Sequence, residues 1–247
     1  MRRWWLITLS IIVTFVTLEI TSKSTFNATA FGANRNNKSH LIAQNSSSTR
    51  IMPLGDSITG GEGSQNSYRR LLWFYLLNAG YSVDFVGSLR VNCGRTPPQQ
   101  DFDLDNEGHC GWRTDQILGQ IDQWASSTRP DIVLIHLGTN DLGSGESPQS
   151  TIEDIRGIIQ KLRYYNPYVK ILLAQIITTC GSEERKISFN SLIPNLANQT
   201  NTYQSPVIVV DQYSGFNVSD TIDGCHPNNT GEGKLASRWF EALKKVL

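Results

Sequence analysis

The stretch Ile51-Met52-Pro53-Leu54-Gly55-Asp56-Ser57-Ile58-Thr59-Gly60-Gly61 decides how the chain reads. An apolar run stops at Gly-Asp-Ser, glycines follow, and an amphipathic segment begins at Tyr68. That order is a strand, a tight turn and a helix. The turn sets a serine at the carboxyl end of a strand and aims it out of the sheet. Its backbone N–H then lies near a helix start, where negative charge is favoured. A nucleophile suits that position, and so does an ordinary Asp-Ser helix cap. The turn alone does not choose; its partners farther along the chain do.

Upstream of the turn, residues 50–54 are the first strand. Residues 1–30 read as a signal peptide or a membrane anchor. Arg2 and Arg3 precede an apolar run over residues 4–18, Glu19 breaks it, and Ala28-Thr29-Ala30 offers a small-x-small cleavage site. The run is closer to a signal core of about 7–15 residues than to a spanning helix of about 20. Paired arginines are also a loose match to a twin-arginine signal. Residues 31–49, rich in Asn, Ser and Thr without an apolar period, read as a flexible tether. The expected location is outside the cytoplasm, secreted or periplasmic, with residues 4–20 as the tether if the segment is retained.

The remaining residues, 50–247, suit one domain. The chain of 247 residues is 39% hydrophobic, enough for a core, and its formal charge is zero. Neutral charge gives no reason to expect nucleic acid or an anionic membrane surface as a partner. No internal repeat is present, and a monomer is expected.

Downstream, strands and helices alternate. Residues 68–78 form a helix stopped by Gly80, and residues 81–86 a short strand. Residues 87–111, with Pro97 and Pro98, are a long irregular loop, of a length that is more often functional than idle. Residues 114–124 are a helix with Thr114 as its cap. Residues 131–137 (Asp-Ile-Val-Leu-Ile-His-Leu) are a strand covered on both faces. His136 within it reads as a satisfied core histidine. Helices over 152–165, 184–200 (with Pro194 as a kink) and 231–246 alternate with strands over 169–177 and 207–210. The pattern predicts an α/β fold, a five-stranded parallel sheet with helices on both faces. A site then lies beyond the carboxyl ends of the strands.

That rule gathers three segments. Ser57 follows strand one, Asn140 in Gly138-Thr139-Asn140-Asp141 follows strand three, and Asp223-Gly224-Cys225-His226-Pro227-Asn228 follows strand five. A serine hydroxyl needs a base to remove its proton. His226 has a suitable intrinsic pKa, and Asp223, three residues earlier, can orient it. An attacked carbonyl becomes an oxyanion that needs donors; the Asn140 amide and the Ser57 N–H can supply them. Each segment alone reads equally as a turn. Three of them at one edge of a sheet read as a site.

These residues resemble the SGNH (GDSL-type) hydrolases. Gly55-Asp56-Ser57 matches the first block of that superfamily, Gly138-Thr139-Asn140-Asp141 the third, and Asp223 to His226 the last. Gly108-His109-Cys110-Gly111-Trp112 is the best match to the glycine block, which makes Gly111 a further oxyanion donor. Residues 51–59, Val83-Asp84-Phe85-Val86-Gly87-Ser88, residues 107–112 and residues 223–228 together resemble carbohydrate esterase family three, acetylxylan esterases among them. Cys110 and Cys225 depart from the pattern without removing a catalytic group.

The resemblance covers residues 50–247. It implies a three-layer α/β/α sandwich of flavodoxin-like type and a serine esterase that removes acetyl groups from a carbohydrate. Ser57, Asp223 and His226 would be catalytic, and Ser57, Gly111 and Asn140 would form the oxyanion hole. No cofactor is expected. The rivals are a lipolytic esterase, a lysophospholipase or a thioesterase of the same superfamily and, in another class, a sugar-binding module without catalysis.

Three further features bear on the site. Four cysteines allow three pairings, and their spacing fits no zinc pattern. Cys180 and Cys225 follow neighbouring strands and Cys93 and Cys110 flank one loop, so Cys93–Cys110 and Cys180–Cys225 are the expected disulfides. Asp101, Asp103 and Asp105 form an acidic alternation that reads as a solvated loop or as hard oxygen ligands for calcium. Trp112 reads as a platform for a sugar ring or as packing beneath the loop.

Overall fold

Strand β1 (Thr49–Gly55) is the axis of a parallel sheet. The computed structural model describes residues 48–62, 65–177 and 180–247. The expected signal or anchor, and residues 31–47 of the expected tether, lie outside them. Among the described residues no helix is long and apolar enough to cross a membrane.

On one side β1 pairs with β4 (Ile132–His136), from Ile51↔Ile132 to Gly55↔His136. On the other it pairs first with β2 (Val83–Phe85) and then with β3 (Glu107–Gly108). Strands β5 (Lys170–Gln175) and β6 (Val207–Asp211) extend the sheet beyond β4, giving the order β2-β1-β4-β5-β6 with β3 on β1. The sheet therefore has a sixth, two-residue strand inside the loop expected to be irregular. Leu89 and Asn106 also bridge across that loop.

The change of partner explains a proline in a central strand. Ile51 and Gly55 turn their carbonyls toward Val86 and His109, each accepting an N–H at 2.9 Å. Pro53, midway and on the same side, directs its missing N–H into the gap between β2 and β3.

Helices α2 (Ser67–Asn78) and α7 (Asn229–Leu243) cover one face. Leu72, Leu76, Leu235 and Trp239 pack there on Ile51, Ile132, Leu134 and Leu172. Helices α3 (Thr114–Thr128), α5 (Pro148–Tyr165) and α6 (Glu183–Thr200) cover the other, packing on Met52, Leu54, Val133, Ile135, Ile171 and Leu173. Alternate residues of each strand face opposite layers, as the period of two requires. Pro194 does not end α6. It removes the donor for the Asn190 carbonyl, and Gln175 Nε2 supplies one at 3.0 Å. Both expected disulfides are present, with Cα separations of 5.4 Å for Cys93–Cys110 and 4.6 Å for Cys180–Cys225.

Candidate active site

The chain leaves β1 through Asp56 into a single helical turn, α1 (Ser57–Gly60). Asp56 closes the turn: its Oδ1 accepts the Ile58 N–H at 2.9 Å and its carbonyl accepts the Thr59 and Gly60 N–H groups. The Ser57 N–H is left without a backbone partner among the described residues. Asp56 is fully buried, and burial raises its pKa to about 6 against the Ile58 N–H bond that lowers it.

Buried Arg69 fixes the turn from below. Its guanidinium donates to the carbonyls of Thr59 (2.9 Å), Gly60 (3.0 Å) and Leu104 (2.9 Å) and to Asn92 Oδ1 (2.9 Å). Burial lowers its pKa to about 10. Arg69 was not among the expected site residues. Its signal is a cation on the same helical stripe as Leu72 and Leu76.

The loop after β6 brings in His226. Ser57 Oγ lies 2.9 Å from His226 Nε2, and His226 Nδ1 lies 2.7 Å from Asp223 Oδ2. Asp223 Oδ1 also accepts the backbone N–H groups of His226 (2.7 Å) and Cys225 (2.9 Å). Partial burial pushes the Asp223 carboxyl up, but these bonds together bring it down to about 2. It is ionised at neutral pH and holds a proton on Nδ1, which leaves Nε2 as the acceptor facing Ser57. Cys180–Cys225 ties this loop to the segment entering α6.

Asn140 lies in α4 (Thr139–Ser144), which begins directly beyond β4. Its Nδ2 donates to the Trp112 carbonyl at 2.8 Å. That contact joins it to the glycine block, which β3 seats beside β1. A Cβ on Gly108 would collide with the backbone of Gly60, so the block and the Ser57 turn touch as bare backbone. Gly111 has φ of +78° with open space where a side chain would stand, and its N–H has no backbone partner among the described residues. Glu107, fully buried, braces the block by accepting from the Ser88 N–H (2.6 Å) and Oγ (2.9 Å) and from His109 Nε2 (2.8 Å).

The structure also shows what surrounds the other candidate residues. Trp112 is half-buried and lies against His109 and, beyond it, Trp124, at centroid distances of 4.6 and 6.2 Å. The carboxylates of the acidic alternation each have a separate partner. Asp101 pairs with Arg70, Asp105 with Arg90, and Asp103 accepts the Phe85 and Asp105 N–H groups. No group of three or more His, Cys, Asp or Glu among the described residues could hold a metal ion. Thr114 is the first residue of α3 and not its cap. Its N–H and hydroxyl both reach Asp141 Oδ1, at 3.0 and 2.6 Å. His136 is in the core as expected but not satisfied: neither ring nitrogen has a partner among the described residues, and burial lowers its pKa to about 4.

The GDSL-like lipase/acylhydrolase family matches residues 54–234. A multidomain esterase of Ruminococcus flavefaciens is 28% identical over an alignment of 223 residues that covers 80% of this chain and 29% of that protein. The chain thus spans under a third of that relative's length. Three solved structures are similar. A carbohydrate esterase family 3 protein from Talaromyces cellulolyticus has 35% identity and a TM-score of 0.73, covering 80% of this chain and 97% of that one. A serine-to-alanine mutant of an acetyl esterase, holding an acetate ion, has 34% identity, a TM-score of 0.73 and the same coverage. A family 3 carbohydrate esterase of Clostridium thermocellum has 32% identity and a TM-score of 0.67, covering 78% and 94%. A parallel sheet with helices on both faces and a Ser57–His226–Asp223 hydrogen-bond chain at its edge agree with these likenesses, and the chain belongs to the GDSL-like lipase/acylhydrolase family, a family of carboxylic ester hydrolases.

Proposed function

We propose that this chain is a serine esterase that removes O-acetyl groups from a carbohydrate through an acetyl-enzyme intermediate. The observation that carries the reading is the unbroken hydrogen-bond chain from Ser57 through His226 to Asp223. The likeness to carbohydrate esterase family 3 structures supports the acetylated carbohydrate as substrate.

Ser57 Oγ attacks the acetyl carbonyl while His226 Nε2 takes its proton; Asp223 keeps the ring oriented and stabilises its charge. The oxyanion meets three donors: the Ser57 N–H, the Gly111 N–H and the Asn140 side chain. An amide nitrogen carries two hydrogens. The Trp112 carbonyl takes one from Asn140 and so fixes the direction of the other. His226 returns its proton to the leaving sugar oxygen, then activates water to release acetate. Within this reading, residues 50–247 are the catalytic domain, residues 31–49 a tether and residues 1–30 an export signal or anchor. Two disulfides fit an oxidising compartment.

Acetate release from a panel of acetylated polysaccharides, compared with hydrolysis of long-chain acyl esters, tests the substrate class. The expected result is acetate from at least one polysaccharide and little turnover of the long chains. Preference for long acyl chains would assign the lipolytic alternative.

A further inference from the structure

A cavity of about 290 Å³ opens between the amino ends of α2 and α7, lined by Gln65, Asn66, Arg70, Gln99, Asn229 and Glu232 among others. Its volume is at the small end of the range for small-molecule sites, about 300–1,000 Å³. The segments carrying the catalytic pair border it on both sides. Asn229 follows His226 by three residues, and Ser67 at the opposite wall donates to the carbonyl of Thr59, two residues beyond Ser57, at 2.8 Å.

The lining combines amide, guanidinium and carboxyl groups with the Ser67 hydroxyl and the apolar side chain of Leu71. Part of it is fixed: Asn66 and Gln99 bond each other across the cavity mouth, and Arg70 is held by Asp101. Glu232 is different. It stands on the α7 stripe that carries Leu235 and Trp239, is 5% exposed, and its Oε2 has no hydrogen-bond partner among the described residues. Leaving a buried polar group unpaired is costly. Burial raises the Glu232 pKa well above the usual carboxylate range; Arg69 pulls the other way but directs its own hydrogen bonds elsewhere. A protonated Glu232 both donates and accepts, as a sugar hydroxyl does. The side chains of Gln65 and Asn229 add amide donors and acceptors at the same wall. With Arg70 charge-paired to Asp101, the amides, the one such carboxyl and the apolar flank of Leu71 match a neutral sugar ring, with its hydroxyl edge and C–H face, better than an acyl chain or an anion.

We propose that this cavity is a subsite for one sugar ring of the carbohydrate whose acetyl group is cleaved, with Glu232, Gln65 and Asn229 bonding its hydroxyls. The proposal rests on the carbohydrate reading above and adds where the glycan lies.

The test compares the parent protein with Glu232→Leu, Glu232→Gln and Gln65→Ala. The substrates are acetylated xylotriose, mannotriose and cellotriose, with p-nitrophenyl acetate as a substrate without a sugar. The readout is kcat/KM for the best trisaccharide divided by kcat/KM for the aryl acetate. In Glu232→Leu this ratio falls about ten-fold, the loss of one or two hydrogen bonds, and the fall lies in KM. Glu232→Gln restores part of it, and Gln65→Ala lowers the ratio in the same direction even if the leucine variant does not fold. Ratios within two-fold of the parent in all folded variants would overturn the subsite while leaving the carbohydrate reading intact. A parent that cleaves the aryl acetate and no trisaccharide would overturn both.

Discussion

Asn140 donates its side-chain amide to the carbonyl of Trp112 at 2.8 Å, so one hydrogen bond joins the residue beyond β4 to the glycine block beyond β3. The bond preorganises the amide before any substrate arrives. Its second hydrogen should then bind the oxyanion more tightly than the ground-state carbonyl, and its loss should appear in turnover. Asn140→Ala is expected to lower kcat by about 10²–10³ with little change in KM. Steady-state kinetics on the folded variant check this; kcat within a few-fold of the parent would reduce Asn140 to a turn residue.

The neighbouring Asp141 has another task. It takes the first N–H and the Thr114 hydroxyl of α3, 27 residues away in sequence, and so ends that helix as a cap would. Asp141→Ala should cost about 1–2 kcal/mol, as loss of a helix cap does. Thermal melts should show the loss while kcat stays within a few-fold at a temperature where the variant is folded. An unchanged melting temperature would remove Asp141 from the role.

These two neighbours show where local sequence is informative. Ser57, Asn140 and His226 each follow a predicted strand, and the parallel topology alone carries them to one edge. The partners that brace them are not legible in that way. Strand β3 is Glu107-Gly108, two residues with no apolar pattern, recognisable only against the edge that Pro53 leaves open. The Thr114–Asp141 bond reaches across 27 residues, so each end looks like the start of its own helix. The acidic alternation leaves a solvated loop and calcium ligands both open in the sequence, because Arg70 and Arg90, its counter-ions, stand 31 and 15 residues from Asp101 and Asp105.

Buried Asp56 should make stability depend on pH. Its folded pKa of about 6 lies above the ordinary 3.8. Between these values the folded protein keeps a proton that the unfolded chain has lost, so stability falls as pH rises through that window. A shift of roughly two units corresponds to about 3 kcal/mol. Asp56→Asn should remove that contribution, so the parent-minus-variant difference in unfolding free energy should drop by about that much between pH 4 and pH 7. Urea titrations at intervals across the range would reveal it, and a constant difference would contradict it.

The Cys180–Cys225 bond closes a loop with a sequence separation of 45 and holds the segment carrying Asp223 and His226. In the chain-entropy account a loop of that size is worth about 4 kcal/mol. Replacing both cysteines by serine should lower the denaturant midpoint accordingly and also reduce kcat, because the His226 loop loses its restraint. A less stable variant with parental kcat would show that the bond serves the fold alone.

The central claim is that Ser57 carries the acetyl group, and the most direct measurement is acetate release from an acetylated oligosaccharide by the parent and by Ser57→Ala at equal concentration. Ser57 is itself half-buried within an otherwise buried turn, and alanine removes only its hydroxyl, so the variant should keep the parent's circular dichroism spectrum. Without the nucleophile, its kcat is expected to fall by at least about 10³-fold. A folded Ser57→Ala protein that still released acetate within ten-fold of the parental rate would contradict the account.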